Sequence, residues 1–313
     1  MASKDFPPAI FLMGPTAAGK TALALALHDV LPVEIISVDS SQVYRGMDIG
    51  TAKPTPAELA RAPHRLIDIR DPAQAYSAAE FCDDARREME AIARAGRIPL
   101  LVGGTMFYFR ALEFGLSDLP SADPDTRARL SEEAATVGWP ALHQRLRSVD
   151  PDAAAQIHPN DAQRIQRALE IHALTGQPAS RLGGTRLHAE LPYQLVKIAL
   201  WPQDRARLHA RIESRFRAML EQNFLAEVEH LYRRGDLTPE LPSVRTVGYR
   251  QAWKYLTGEV NYNEMINQAL AATRQFAKRQ ITWLRSYPEV RAFDIDTTPE
   301  TACLEYLRSS IHL

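Results

Sequence analysis

Short apolar runs alternate with longer stretches of mixed pattern along the first part of the chain. Residues 9–13 (Ala-Ile-Phe-Leu-Met) are apolar throughout and stop at Gly14, as a buried strand does. Residues 33–38 and 98–102 repeat that pattern, 193–201 return to it, and 290–295 are expected to form a last edge strand. Between them the Ala/Leu-rich run 22–30 predicts a helix. Ser77-Ala78-Ala79-Glu80 is a capping box opening another helix that runs to Gly96. From 123 to 176 no strand pattern intervenes: helices are expected to start near Asp123, Trp139 and Asn160, and Gly176 is a stop signal. Residues 178–192 read as a loop. This order predicts an α/β protein with a parallel sheet core flanked by helices, an all-helical insertion and a helical C-terminal part. Length alone, at about 150 residues per unit, suggests about two compact units, and the element order refines this to 1–120, 121–190 and 191–313.

A long helix is predicted over 261–287. At about 100° per residue, Arg274, Lys278 and Arg285 share one side. Met265, Ala269, Phe276, Trp283 and Tyr287 cluster opposite and are expected to be core, with Trp283 packed inward.

The loop after the first strand carries specific chemistry. Gly14-Pro15-Thr16-Ala17-Ala18-Gly19-Lys20-Thr21 fits GxxxxGK[ST] between a strand and a helix, the context of a phosphate-binding P-loop. Glycines let successive N–H groups turn inward, and the helix N-terminus adds positive dipole. Lys20 can reach terminal phosphate oxygens, and the Thr21 hydroxyl is the candidate ligand for Mg²⁺. The second strand ends at Asp39, near the same mouth, because ligands of open α/β sheets gather at the carboxyl ends of strands. Asp39 could assist Mg²⁺, act as a general base or cap the following turn. Gly103-Gly104-Thr105 ends the third run, where glycines suit either a close-approaching ligand or a tight turn.

Composition removes other classes. Two cysteines, Cys82 and Cys303, cannot build a disulfide scaffold or a four-cysteine zinc site. No apolar run reaches the about 18 residues of a membrane span, and the N-terminus lacks signal-peptide character, so a cytoplasmic setting is expected. The chain has no HExxH, no GxSxG and no Asn-Lys-x-Asp, and no strand beyond Val38-Asp39 suits a Walker-B role. A net charge of −1 argues against a uniformly basic surface, yet residues 245–291 hold eight Lys/Arg against three Glu. Such a local excess is either a solvated helix face or a phosphate-neutralising surface for a polyanion.

The motifs taken together resemble one family. Gly14 to Thr21, Ser37-Val38-Asp39-Ser40, Gln42-Val43-Tyr44, Asp48-Ile49-Gly50-Thr51-Ala52-Lys53-Pro54 and Gly103-Gly104-Thr105 are similar to those of the tRNA dimethylallyltransferases, or tRNA isopentenyltransferases. So are residues 161–170, 245–250 and 278–285, in unchanged order. The absence of the C-terminal zinc finger of some larger relatives points to the shorter, bacterial-type form. The resemblance implies a P-loop NTPase-like core and transfer of a dimethylallyl group from dimethylallyl diphosphate, with Mg²⁺. Its acceptor is N6 of the adenosine 3′ to the anticodon of tRNA.

By family position, Asp39, Lys20, Thr21 and Arg215 would be catalytic, with Arg211 and Arg217 as neighbouring candidates for the diphosphate arginine. Gly14, Pro15, Thr16, Ala17, Ala18, Gly19, Lys20 and Thr21 would hold the diphosphate. The tRNA contacts implied are Asp39, Ser40, Ser41, Gln42, Thr105 and Arg127, with Gln163, Arg164, Ile165, Gln166 and Arg167 of the insertion. Arg245, Thr246, Val247, Gly248, Tyr249 and Arg250 would join them, as would Lys278, Arg279, Gln280, Ile281, Thr282, Trp283, Leu284 and Arg285. The expected partners are the anticodon stem-loop and dimethylallyl diphosphate, with no membrane, and the chain is expected to act as a monomer. Two other readings remain open at this level: a P-loop small-molecule kinase using ATP, and a non-catalytic RNA-binding protein.

Overall fold

The computed structural model describes residues 6–182, 191–298 and 300–311. The chain forms two compact units, Met1–Leu112 with Leu191–Leu313, and Glu113–Glu190. The helical unit thus begins at Glu113 rather than at 121.

The first unit is built on the strands Pro8–Met13 (β1), Val33–Val38 (β2), His64–Arg65 (β3), Ile98–Gly103 (β4), Gln194–Trp201 (β5) and Arg291–Asp294 (β6). They make one six-stranded sheet in the order β3-β2-β4-β1-β5-β6, parallel at every pairing. Helices Lys20–Val30 (α1), Pro56–Arg61 (α2), Ala78–Arg94 (α3) and Met106–Phe114 (α4) follow the early strands. The second unit contains Pro124–Val137 (α5), Trp139–Val149 (α6), Pro151–Gln156 (α7), Ala162–Thr175 (α8) and Ala179–Leu182 (α9). Arg205–Glu221 (α10), Phe224–Arg233 (α11), Tyr249–Leu256 (α12), Tyr262–Arg285 (α13) and Glu300–Ser310 (α14) complete the first unit.

The apolar runs are continuous because the central strands are covered on both faces, as parallel sheets require. β4 is buried along its whole length, and β1 is buried at every position after Pro8. One core joins Ile10, Leu12, Leu27, Ile35, Leu100 and Ile198 to Leu307 of the last helix. Each such side chain contributes about 1.5–3 kcal/mol by leaving water. Gly103 permits the close spacing of β4 and β2, since a Cβ there would stand 2.0 Å from the Val38 carbonyl oxygen.

The capping signals act as expected. Ser77 Oγ accepts from Glu80 N while Glu80 Oε2 accepts from Ser77 N at 2.8 Å. Asp123 caps α5 through Thr126 N at 2.9 Å, and Gly176 ends α8 in the left-handed region. The expected loop 178–192 instead begins with α9, and its residues 183–190 lie outside the described residues. The short α2, α7 and two-residue β3 carry too little periodicity to register in the sequence.

The buried side of α13 also differs from expectation. It is Met265, Ala269, Leu270, Ala277, Gln280 and Leu284, with Tyr287 just beyond the helix. Phe276 and Trp283 are only half-buried. Trp283 meets the exposed Phe107 edge-on, with ring centroids 6.4 Å apart, and Arg279 lies over Phe276. Small Ala277 and polar Gln280 occupy the seam that hydrophobicity alone would assign to the aromatics.

Candidate active site

Three adjacent strands deliver the site. β2, β4 and β1 are neighbours and parallel, so the loops after Val38, Gly103 and Met13 emerge at one edge of the sheet. The crossing is stitched by hydrogen bonds: Ser40 N donates to Thr105 Oγ1 at 3.1 Å, and Thr105 N donates to the Val38 carbonyl at 3.3 Å. Thr105 therefore holds the β2 loop from the β4 side.

The P-loop curls through Ala17 and Gly19, both at positive φ, into the first turn of α1. Among the described residues the N–H groups of Ala17, Gly19, Lys20 and Thr21 find no acceptor. They form a set of unpaired donors at the positive end of a helix, which suits an anion. Lys20 Nζ donates to the carbonyls of Gly14 at 2.9 Å and Pro15 at 2.8 Å, folding back over the loop. Burial pushes its pKa down to about 7, the charge of Arg215 adds to the fall, and Asp39 opposes it.

Arg215 comes from the middle of α10. Burial lowers its pKa and Asp39 opposes the shift. Its guanidinium makes no hydrogen bond or ion pair with any described residue. The neighbouring candidates are committed elsewhere: Arg211 pairs with Asp296 at 2.7 Å and Arg217 with Glu213 at 2.9 Å. Arg215 is thus the α10 arginine that shares a field with Lys20 and Asp39.

Asp39 does cap its turn, but with one oxygen. Oδ1 accepts from Ser41 N at 2.8 Å, Ser41 Oγ at 2.6 Å and Gln42 N at 3.3 Å. Oδ2 takes no bond from a described residue, so the cap orients the carboxylate and leaves one oxygen for chemistry. Gln42 is itself fixed, accepting from Ser37 Oγ at 3.0 Å and donating to the carbonyls of Thr51 and Ala52.

Thr21 Oγ1, half-buried at the start of α1, makes no hydrogen bond to a described residue. The described residues contain no group of three or more His, Cys, Asp or Glu able to hold a metal. This donor set fits Mg²⁺ held by one hydroxyl together with phosphate oxygens and water, the usual habit of that ion.

The residues expected to touch tRNA divide sharply by burial. Arg245, Arg250, Lys278, Arg279, Thr282 and Arg285 are exposed, and the side chains of Arg245, Arg250 and Lys278 have no ion-pair partner among the described residues. Ser40 is also exposed, and Ser41, Thr105, Thr246, Val247, Ile281 and Trp283 are half-buried. Gly248, Tyr249 and Leu284 are buried and present no side chain for RNA. Gln280 is buried as well: its Nε2 donates to the Gly104 carbonyl at 2.8 Å and its Oε1 accepts from Thr16 N at 2.9 Å.

In the helical unit, Ile165 is core and only Gln163 and Arg164 of the 163–167 block are exposed. Arg127 binds Glu170 with two nitrogens at 2.8 and 3.1 Å, and Arg167 binds the same carboxylate at 2.6 Å and the Pro120 carbonyl at 2.6 Å. Gln166 Nε2 donates to the Arg127 carbonyl and Ser131 Oγ. Glu170 is fully buried. Burial would raise its pKa, but the hydrogen bonds from Arg127, Arg167 and Asp123 N outweigh it and hold the carboxyl below its ordinary range. Arg127 and Arg167 are therefore spent on a buried carboxylate, a role that spacing along the chain does not reveal.

Glu227 of α11 was invisible to motif reading. It accepts from the successive N–H groups of Asp48, Ile49 and Gly50 at 2.9, 2.7 and 3.1 Å, and from the Tyr249 hydroxyl. Lys53, almost wholly buried, donates to the Tyr44 carbonyl at 3.0 Å, to Asp68 at 2.6 Å and to Asp48. The Asp48–Lys53 motif is thus pinned from both ends. Only the neighbouring glycine gives a sequence sign of the crowding: a Cβ on Gly50 would stand 2.3 Å from the Phe224 ring.

A six-stranded parallel sheet flanked by helices, with a GxxxxGK[ST] loop after its first strand, defines the class as α/β. The IPP transferase family model matches residues 42–287. The chain is 60% identical to the tRNA dimethylallyltransferase of Thioalkalivibrio sulfidiphilus, over 97% of this chain and 95% of that one. Its structure is similar to the tRNA isopentenylpyrophosphate transferase of Bacillus halodurans, with a TM-score of 0.71, 40% identity and 97% of each chain covered. A eukaryotic dimethylallyltransferase acting on tRNA gives a TM-score of 0.78 at 26% identity, covering 98% of this chain and 80% of that one. The chain belongs to the IPP transferase family. Membership overturns the small-molecule kinase reading, which the P-loop alone had left open.

Proposed function

We propose that the protein transfers a dimethylallyl group from dimethylallyl diphosphate to N6 of the adenosine 3′-adjacent to the anticodon of tRNA, releasing diphosphate. The observation that carries this reading is the grouping of Lys20, Arg215 and Asp39 around a P-loop with free N–H donors. Two cations and a set of backbone dipoles suit a leaving diphosphate, and one oriented carboxylate suits an amine that must lose a proton.

In the reaction the bond between the allylic carbon and the diphosphate oxygen breaks, its electron pair leaving with diphosphate. The N6 lone pair forms the new C–N bond, and the N6 proton passes to Asp39 Oδ2. The P-loop N–H groups, Lys20 and Arg215 stabilise the charge that accumulates on the departing oxygens, where fixed donors act with little reorganisation. Asp39 answers the weakness of the exocyclic amine, whose lone pair is delocalised into the ring, by proton removal and close placement. Mg²⁺ at Thr21 would add charge neutralisation at the diphosphate when bound.

The acceptor base must leave the anticodon-loop stack, and an unpaired loop base costs less to extrude than a paired one. The exposed Arg245, Arg250, Lys278 and Arg285 supply phosphate contacts for that loop in this reading. A cytoplasmic monomer accompanies it. No helix of the described residues is long and apolar enough to cross a membrane.

The test is prenylation of tRNA by the purified protein with Mg²⁺ and dimethylallyl diphosphate, without ATP. Mass gain on the anticodon-loop fragment is expected, and its absence would overturn the proposal. In a separate assay with γ-labelled ATP, label appearing on a metabolite while the tRNA stays unmodified would revive phosphoryl transfer.

A further inference from the structure

Gln280 stands out among the buried polar side chains of the core unit. Its amide spans two loops that belong to different strands, the P-loop after β1 and the Gly104 turn after β4. Both ends of the amide are used, donor and acceptor, so its orientation is determined by its partners. Gly104 has no space for a side chain while this amide is in place, since a Cβ there would stand 2.3 Å from Gln280 Nε2.

The partner on the P-loop is informative. Thr16 N is the N–H taken up by Gln280, whereas the donors of Ala17, Gly19, Lys20 and Thr21 find no acceptor among the described residues. The amide therefore fastens the near limb of the loop and leaves the far limb for an anion. On α13, Lys278 and Thr282 lie one turn apart on the exposed side, and Gln280 lies between them on the buried side.

We propose that Gln280 is a positioning residue, which holds the P-loop open for diphosphate and ties it to the helix whose outer side carries the RNA-facing cations. The proposal rests on the diphosphate reading of the P-loop given above. It replaces the expectation that Gln280 touches tRNA directly.

Three measurements on the full chain test it. First, amide hydrogen exchange over 14–21, without ligand, should quicken in Gln280→Met, and unchanged exchange would overturn the proposal whether or not diphosphate binds. Second, calorimetry with inorganic diphosphate and Mg²⁺ should show Kd rising about tenfold in Gln280→Met, the weight of one well-placed hydrogen bond. An anticodon stem-loop RNA should bind that variant within about twofold of the parent. Weakened RNA binding with unmoved diphosphate binding would make Gln280 an RNA contact and defeat the proposal, as would equal weakening of both. A parent chain that fails to bind diphosphate would instead count against the proposed function. Third, Gly104→Ala, which displaces the amide without removing it, should weaken diphosphate binding to a similar extent in the parent. In the Gln280→Ala background the same substitution should cost less than about twofold, because the two act through one contact. Independent, multiplying effects would show that the contact does not carry the loop.

Discussion

Arg215 acts on Lys20 across the site: a guanidinium from α10 adds its repulsion to burial, and together they push the P-loop ammonium down to about 7. Two cations placed together without an anion are in tension, and an incoming diphosphate relieves it.

A pH dependence follows. Unfolded, Lys20 keeps its ordinary pKa of 10.5; folded, it is near 7, so between these values the unfolded chain binds more protons. Lys20 therefore weighs most against folding below about pH 7, and that cost recedes as pH rises toward 10.5. Lys20→Met should raise the ligand-free Tm at pH 6, with the difference narrowing by pH 9, while diphosphate binding collapses. A Tm difference that does not change with pH would refute the assignment. Arg215→Met should shift the midpoint of diphosphate binding by the parent to higher pH.

Asp39 separates two roles by its two oxygens. Asp39→Asn keeps an oxygen for Ser41 and Gln42 but loses the base, so kcat should fall about 10²–10⁴-fold with tRNA affinity held within about twofold. Asp39→Ala also removes the turn's acceptor and should lower Tm further. Single-turnover kinetics with RNA binding measured alongside distinguishes them, and equal turnover for Asn and parent would exclude Asp39 as the base.

Glu170 in the helical unit is expected to matter for stability. Glu170→Ala should cost about 2 kcal/mol, less than a fully buried pair because Arg127 and Arg167 remain partly hydrated. Its lowered pKa means the stabilisation is present above the unfolded carboxyl pKa and is lost as pH falls through the folded value. Urea denaturation at pH 7 and in acid checks both statements, and a cost that persists undiminished in acid would contradict them.

Lys278, exposed and without an ion pair among the described residues, is a surface charge. Lys278→Ala should weaken anticodon stem-loop binding and reduce the slope of log K against log salt by about 0.7 to 0.9. Prenylation at saturating RNA should be unaffected. An unaltered salt slope would remove Lys278 from the interface.

Much of the core was readable from residue order. Long apolar strands, the P-loop and the Ser77 and Asp123 caps are local, because each depends on a few adjacent side chains and on backbone geometry within one turn. Short α2 was not readable from period, although Thr55, Pro56 and Glu58 cap it locally, while two-residue β3 owes its conformation to pairing with β2.

The motif residues themselves were all present in the sequence, and local chemistry set the P-loop and the turn at Asp39. Only the tertiary structure decided which of them stay exposed and which are held by distant partners. Family position alone makes Gln280, Tyr249 and Arg127 tRNA contacts, but their partners, Thr16, Glu227 and Glu170, are distant in sequence. A buried polar group must find a partner wherever the fold brings one, and that pairing is a property of the packed chain. The choice of Arg215 over Arg211 and Arg217 has the same origin: one turn of α10 faces Lys20, while its neighbours find Asp296 and Glu213.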